Sequence, residues 1–347
     1  MKNNYDHGIF YGAVRSFFVV LMATIGFALG IFCFLFIMGG ISSSAKEPER
    51  SYKMKVLPNA EGIRKIESGK SPVILQININ GVIGTELLNT QNMEELLIES
   101  REGDLKDNRV KAILLNISTP GGTFTDSDGI YRALKLYKER YKVPVYAFAD
   151  GLCASGGMYV ACAADKIFSN DATLIGSVGV IGPSFMNFSK LIDVLGVQAL
   201  TISEGKGKDD MNPLRPWRPD EDAMYKNIIK YYYGLFVDIV ATARPRIGKE
   251  NLIDKYGAGM FPAAQAKEIG YIDESNFTRE GVLKQLLKEV SIEDDYYQVV
   301  VLENTNWISK IFSSQNNLFQ GKISHKLELP EEMDPNLSGK VLCLYRP

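Results

Sequence analysis

The chain has 347 residues, of which 46% are hydrophobic and 23% charged, and its formal net charge is -2. This size allows one or two folded domains, and the balanced charge gives no indication of a nucleic-acid partner. The two histidines and four cysteines form no CxxC pair and no cluster at metal-ligand spacing. That pattern argues against structural zinc, a disulfide framework and a Ser-His-Asp triad, and we expect no cofactor.

The first element is an apolar run from Phe17 to Ile41 that carries no charged side chain. About 20 helical residues cross a bilayer core, and the run exceeds the ~7–15 apolar residues of a cleavable signal peptide. We predict a transmembrane signal anchor, with cleavage near Ser43-Ser44-Ala45 as the alternative. Basic residues lie on both sides of the run, but a short N-terminal tail usually stays inside, so we expect the residues after the run to be exported.

After a polar, proline-containing stretch, short apolar runs alternate with segments of helical period, which predicts an α/β fold with a largely parallel sheet. We divide the chain into a tail (1–16), the anchor (17–41), a spacer (42–71), a folded domain (72–290) and a C-terminal extension (291–347). The predicted strands are Val73–Ile83, Val110–Ile117, Val143–Ala149, Val197–Ile202 and Gln298–Leu302, and the predicted helices are Asp126–Tyr141 (capped by Thr125 or Asp126), Met186–Leu195, Asp220–Ala243, Pro262–Ile269 and Arg279–Val290.

Three polar segments stand between these elements. Ser118-Thr119-Pro120-Gly121-Gly122 follows a predicted strand, and its two glycines allow backbone N–H groups to face a ligand; a plain strand-to-helix turn is the alternative. Ser155 lies in Ala154-Ser155-Gly156-Gly157, at the predicted start of a helix, where free N–H groups favour developing negative charge. The alternative is that Ser155 only caps that helix.

The third segment runs from Ser203 to Asp210 and holds Lys206 and Lys208 in a glycine-rich loop. It lacks the frame of a phosphate-binding P-loop, so by itself it indicates only a solvated turn or a phosphate contact.

In this order, the three segments resemble the signal peptide peptidase A (protease IV) family, in its short single-domain bacterial form. Gly176-Ser177-Val178-Gly179-Val180-Ile181 and the stretch from Phe261 to Asp273 add to the resemblance. It implies a ClpP/crotonase-like fold of repeated ββα units, preceded by one transmembrane helix. It also implies a membrane-anchored serine endopeptidase that hydrolyses hydrophobic peptides such as remnant signal peptides.

The resemblance also assigns roles by position. Ser155 matches the nucleophile, Lys208 the general base, and Ser177 a serine that hydrogen-bonds the lysine amine. The backbone N–H groups of Gly122 and Gly156 would form the oxyanion hole.

The family often has an aromatic residue where this chain has Gly207, and this departure leaves Lys206 as a rival base. A lysine acts as a base only when its pKa falls from about 10.4 to near 7. Neighbouring carboxylates oppose that fall, so we expect Asp209 and Asp210 to pair elsewhere, for instance with Lys206.

The resemblance further implies a homo-oligomer in which neighbouring subunits complete the dyad. It places the chain in the bacterial inner (cytoplasmic) membrane as a single-pass protein with an extracytoplasmic, periplasmic catalytic domain. Three alternatives remain: an inactive membrane-tethered scaffold of the same fold, a crotonase-like acyl-CoA enzyme, and a Ser-His hydrolase that uses His325.

Overall fold

The computed structural model describes residues 12, 14–27, 29–31, 52–67, 69–304 and 342–345. The chain divides into two compact units, residues 1–51 with 304–320 and residues 52–303 with 321–347. In the first unit the structure describes one exposed helix, α1 (Val14–Ile31), which is long and apolar enough to cross a membrane. The rest of the predicted anchor, most of the tail before it, and His325 lie outside the described residues.

The second unit is built on a mixed eight-stranded sheet and a two-stranded one. The strands are β1 (Tyr52–Leu57), β2 (Val73–Asn80), β3 (Val110–Thr119), β4 (Gly121–Thr123), β5 (Val145–Ala154), β6 (Lys166–Ser169), β7 (Leu174–Gly176), β8 (Met260–Pro262), β9 (Gln298–Asn304) and β10 (Leu342–Leu344). The larger sheet has the strand order β1-β9-β2-β3-β5-β7-β8, and β6 also pairs with β5. The central pairs β9-β2, β2-β3, β3-β5, β5-β6 and β5-β7 are parallel, as predicted, and β7-β8 is antiparallel.

Both faces of the sheet are covered, because alternate strand residues belong to different apolar clusters. Leu75 and Ile77 of β2 pack with Ile130 and other residues of one cluster, whereas Ile74 packs with Leu286 of another. A strand buried on both faces is apolar at successive positions, which explains the continuous runs in the sequence. The helices of the second unit are α2 (Thr90–Glu99), α3 (Phe124–Tyr141), α4 (Gly156–Ala161), α5 (Ser189–Val194), α6 (Ala223–Ala243), α7 (Lys249–Asn251), α8 (Ala263–Ile269) and α9 (Arg279–Glu289), with a π-helical turn at Leu252–Tyr256.

The predicted domain boundaries at 72 and 290 stop short of the sheet at both ends. β1 lies inside the predicted spacer and forms the edge of the sheet. Its lysines, Lys53 and Lys55, are exposed and alternate with partly buried residues, so the strand is only half apolar. β9 lies inside the predicted C-terminal extension and pairs with β2.

Two local predictions are also wrong. Residues 197–202, predicted as a strand, have no regular structure, and Leu200 and Ile202 are 86% and 89% exposed. The cap of α3 is Thr123, whose side chain accepts a hydrogen bond from the Asp126 N–H, and not Thr125 or Asp126. The apolar run at 197–202 matched a strand in composition but has no described sheet to join.

The position of β9 generates a prediction about the folding unit. A chain of residues 72–290 leaves the inner edge of β2 unpaired and is expected to aggregate or to show no cooperative thermal unfolding. A chain of residues 52–304 restores β9 and β1 and is expected to unfold cooperatively. A chain of residues 72–304, which lacks only the edge strand β1, is the control and should fold with a lower melting temperature. Cooperative unfolding of 72–290 would contradict this.

Candidate active site

Ser155 stands at a sharp turn between β5 and α4. Its backbone angles are φ 54° and ψ -116°, a region that residues with a side chain rarely occupy and that costs about 1–3 kcal/mol. Two hydrogen bonds hold the turn: the Ser155 N–H donates to the Gly176 carbonyl over 2.9 Å, and the Tyr159 N–H donates to the Ser155 carbonyl over 3.0 Å. A comparable strand-to-helix turn presents the nucleophilic serine of α/β-hydrolases.

The hydroxyl of Ser155 is not used to cap the helix. Its Oγ has no hydrogen-bond partner among the described residues, although the residue is only 1% exposed. A buried hydroxyl without a partner is costly to the folded state, and such groups are typical of sites that meet a ligand. The capping alternative for Ser155 is therefore not supported by its contacts.

Glycines let the two motif segments touch. The Cβ of a side chain at Gly121 would lie 2.6 Å from the Gly156 nitrogen, and one at Gly122 would overlap the Ile83 carbonyl. A Cβ at Gly156 would overlap the Ser127 hydroxyl and lie 3.3 Å from the Gly121 Cα. The Pro-Gly-Gly segment therefore lies directly against the start of α4. The sequence had predicted both segments but not the contact between them.

Parallel pairing explains why these segments meet. β3 and β5 are neighbours in the sheet, and Thr119 near the end of β3 is paired with Cys153 near the end of β5. Because both strands end at the same edge, the residues that follow them, Gly121-Gly122 and Ser155-Gly156, share that edge.

Ser177 lies close to the turn at Ser155. It follows Gly176, whose carbonyl accepts the Ser155 N–H, and its own N–H donates to the Gly259 carbonyl over 2.8 Å. Ser177 has φ 55° and is nearly buried. The structure thus brings four of the predicted residues together: Ser155, Ser177, Gly122 and Gly156.

Neither candidate lysine hydrogen-bonds the Ser155 hydroxyl, which has no partner among the described residues. Lys206 and Lys208 are exposed, in a turn where the Lys208 N–H donates to the Gly205 carbonyl. Gly207 has φ 79°, and a Cβ there would lie 3.0 Å from the Asp210 carboxylate, so this turn disfavours the aromatic residue that the family often has.

The two carboxylates beside Lys208 pair elsewhere, as expected, but with arginines and not with Lys206. Asp209 Oδ2 lies 2.6 Å from Arg215 Nε, and Asp210 Oδ1 lies 3.2 Å from Arg218 Nη2. The hydrogen bond from Arg215, supported by one from Asn212, lowers the pKa of Asp209.

Glu221 interacts with both of these arginines. It forms ion pairs with Arg215 and Arg218 and accepts the Met211 N–H over 3.2 Å. Burial opposes its ionisation, but the hydrogen bonds from Arg218, Arg215 and the backbone outweigh that effect and lower the pKa of Glu221 to about 2. Nothing in the sequence pattern had singled out this glutamate.

The sequence had also not indicated that β10 lies at this site. β10 pairs antiparallel with β4, placing Cys343 opposite Gly122, and Leu342 forms a bridge to Ile181. The Tyr345 N–H donates to the Pro120 carbonyl over 2.7 Å. A strand this short, paired with residues more than two hundred positions away, leaves no periodic signal in the sequence.

The glycine at 156 can be tested by stability. Gly156→Ala is expected to lower the free energy of unfolding by about 1–3 kcal/mol, because the new methyl group overlaps the Ser127 hydroxyl. The double variant Ser127→Ala/Gly156→Ala should lose less unfolding free energy than the two single variants lose together, because the hydroxyl that the new methyl group overlaps is gone. Gly234→Ala in α6, where a Cβ meets no atom within 4 Å, is the control and should be neutral or stabilising. If denaturant unfolding shows that the effects of the two single substitutions simply add in the double variant, the close approach of Gly156 to the Ser127 hydroxyl is contradicted.

The depressed pKa of Glu221 predicts a pH-dependent stability. The stabilisation that the ionised Glu221 carboxylate gives the folded state is complete above the ordinary glutamate pKa of about 4.3 and is lost as pH falls toward 2. Glu221→Gln should therefore lower the melting temperature at pH 7, and the difference from wild type should shrink below pH ~4.3. Glu204→Gln, an exposed glutamate of the neighbouring turn, should leave the curve unchanged. A difference that is constant from pH 7 to 2 would rule out this linkage.

Comparison with known proteins supports one family. The model of Peptidase family S49 matches residues 137–293, and that of Clp protease matches residues 85–175. A protein of Enterococcus faecium named as a signal peptide peptidase SppA is 31% identical over 66% of this chain and 67% of its own length. A protein of Synechocystis named as a protease is 30% identical over 70% of this chain and 87% of its own length.

Protease 4 of Salmonella typhi is 30% identical over 55% of this chain and 31% of its own length. Among solved structures, a ClpP1 mutant from Listeria monocytogenes matches with a TM-score of 0.40 and 18% identity, over 60% of this chain and 94% of that chain. The Clp protease match and the mixed α/β sheet agree with the predicted ClpP/crotonase-like fold. From these matches, the chain belongs to peptidase family S49, the family of signal peptide peptidase A and protease 4.

Proposed function

We propose that this S49 peptidase is a membrane-anchored serine endopeptidase that uses Ser155 as nucleophile and Lys208 as general base. One observation carries the proposal: the unpartnered Ser155 hydroxyl, held at a strained turn against two glycine-rich segments. Its substrates are hydrophobic peptides in extended conformation, such as remnant signal peptides. The relatives named as signal peptide peptidase and protease support this substrate class.

The chemistry follows from the arrangement. The Ser155 Oγ attacks the substrate carbonyl carbon while the neutral Lys208 amine takes its proton. The negative charge that develops on the carbonyl oxygen is stabilised by N–H groups of Gly122 and Gly156. The lysine then gives the proton to the leaving amine, and a water molecule, deprotonated by the same amine, hydrolyses the acyl-enzyme.

The exposed position of Lys208 in a single chain has a consequence for this mechanism. A lysine amine acts as a base near pH 7 only when its surroundings disfavour the charged form by roughly 4–5 kcal/mol. Solvent exposure supplies no such bias, whereas burial against another subunit does. The ion pairs of Asp209 and Asp210 with arginines support the proposal, because the arginine charges compensate two carboxylates that would otherwise stabilise the charged form of the lysine.

We further propose that a second copy of the chain buries this lysine and so completes the dyad. The residues around the lysine loop expose an unusual amount of apolar surface for a free monomer. They include Phe188, Leu191, Val194, Leu195, Val197, Leu200 and Ile202. Contact with a neighbouring subunit would cover these side chains and bring Lys208 toward the neighbour's Ser155.

The helix α1 supports a location in the bacterial inner (cytoplasmic) membrane. Its length and composition suit a single span, and the catalytic unit would lie on the extracytoplasmic side. An enzyme held there meets the hydrophobic segments that remain in the membrane after protein export.

The dyad can be tested with an activity-based probe. We expect a fluorophosphonate to label the full-length wild-type protein in detergent, with a rate that rises with pH as the lysine amine loses its proton, and to leave Ser155→Ala unlabelled. Lys208→Ala should lose at least 100-fold in labelling and peptidase rate, the usual contribution of a general base. Lys206→Ala, in the same turn, is the matched control and should keep most activity. Loss of activity in Lys206→Ala alone would move the base to Lys206, and labelling of Ser155→Ala would remove the proposed nucleophile.

Mixing inactive variants tests whether the dyad spans two subunits. When Ser155→Ala and Lys208→Ala chains are unfolded, mixed in equal amounts and refolded together, about a quarter of the interfaces combine an intact serine with an intact lysine. Activity should return to about that fraction of wild type. A dyad formed within one chain would give no recovery, and then the proposal of a shared site fails while Ser155 and Lys208 keep their roles.

A further inference from the structure

A cavity at the edge of the sheet opposite Ser155 is lined by positive charge. Its volume is about 430 Å³, and four of its eight lining residues are the cations Arg101, Lys111, Arg140 and Lys142, whereas none is acidic. We propose that this cavity binds a phosphate monoester, carried either by a lipid head group or by a free phosphorylated molecule.

The cavity is separate from the candidate active site. Two of its lining residues, Val110 and Val143, stand at the beginning of β3 and just before β5, whereas Ser155 follows the end of β5. The length of β5, ten residues at about 3.3 Å each, puts roughly 30 Å between the two edges of the sheet. A ligand in the cavity therefore contacts none of the groups proposed for catalysis, and this inference stands independently of them.

Arg101 is the most firmly held cation of this cavity. Its guanidinium carbon lies 4.7 Å from the ring centroid of Tyr137 and 4.1 Å from that of Tyr141. A planar guanidinium stacked on aromatic rings keeps one orientation, so it loses little conformational freedom when it binds an anion. The charge of Arg101 is therefore fixed in place before any ligand arrives.

The charge of Arg101 has no counter-ion in the described part of the chain. Its Nη1 donates to two neutral oxygens, Asn108 Oδ1 over 3.4 Å and the Val110 carbonyl over 3.5 Å. Its Nε and Nη2 are buried and have no hydrogen-bond partner among the described residues. The neighbouring acidic residues Glu102 and Asp107 do not line the cavity. A charge withdrawn from water without an opposing charge is costly to the folded state, and a bound anion would offset that cost.

The other three cations are exposed and available to a ligand. Lys111 belongs to β3, Arg140 to the last turn of α3, and Lys142 ends that helix with φ 54°. None of the three forms an ion pair with a carboxylate of the described residues. Basic residues at the end of a helix complement its dipole, which accounts for Arg140 and Lys142. It does not account for Arg101 and Lys111, which come from other elements and line the same cavity.

A phosphate monoester matches this lining in charge, geometry and size. Four cations suit a group with more than one negative charge and several acceptor oxygens, and a phosphate monoester carries about -1.5 to -2 charges on three oxygens at pH 7. Arginine binds such oxygens with its planar fork of N–H groups. The volume lies within the ~300–1,000 Å³ of small-molecule pockets, and Tyr141, Val110 and Val143 offer apolar surface to the rest of the ligand.

The test measures binding of two phosphate monoesters to the full-length protein in detergent by titration calorimetry. Glycerol 3-phosphate is the free molecule, dihexanoyl phosphatidic acid carries the same phosphate on a lipid, and dihexanoyl phosphatidylcholine is the ligand control without net charge. Lys111→Gln/Lys142→Gln should weaken binding of the monoesters at least tenfold, because two of the four positive charges are gone. Lys284→Gln/Lys288→Gln on α9 removes the same charge from exposed lysines outside the cavity and should bind as wild type does.

The outcomes separate the two sources of the phosphate and the failure of the proposal. Similar affinity for both monoesters supports a free phosphorylated molecule, and at least tenfold tighter binding of phosphatidic acid supports a lipid head group. The proposal is overturned if neither monoester binds, or if both double variants weaken binding equally, because the attraction is then to charge in general. Phosphatidylcholine binding as tightly as phosphatidic acid would also overturn it, since the acyl chains and not the phosphate would be recognised.

Discussion

The contact between the Pro-Gly-Gly segment and the start of α4 is the constraint on which the rest of the site depends. It exists because no side chain stands at Gly121, Gly122 or Gly156, so backbone meets backbone at distances that a methyl group would prevent. Parallel pairing of β3 with β5 brings the two segments to one edge of the sheet, where the turn at Ser155 lies. The apolar clusters on both faces of the sheet hold this edge in place.

The sequence predicted the fold best where burial was greatest. The strands around Val73, Val110 and Val145 are apolar at successive positions because both faces are covered, and the helices that cover them show a clear period. The prediction was wrong at 197–202, because an apolar run looks the same whether it joins a sheet or lies on the surface. β1 was missed because its alternate residues are charged, and β10 because its partners are distant in sequence.

The residues of the candidate site also fall into those that the sequence could place and those that it could not. Residues that follow buried strands, such as Ser155 and Gly122, could be placed from sequence because the sheet fixes where strands end. Lys208 could be named only through a family resemblance, since it lies in an exposed turn whose position no strand end fixes. The arginine pairs that occupy Asp209 and Asp210 connect residues six and eight positions apart without any helical or strand period, so no sequence rule would have found them.

The place of β9 in the sheet also orders the events of synthesis. β1 and β2 follow one another along the chain, yet they are not neighbours, because β9 lies between them. The amino-terminal strand can therefore find its position only after residues 298–304 have been made, when nearly the whole catalytic unit is already present. Until then the apolar β2 presents an open edge to whatever surrounds the nascent chain, and completion of the sheet must await its last parallel strand. The sheet of this protein is thus completed in one late step, after β9 has been synthesised, and does not grow strand by strand from the amino terminus.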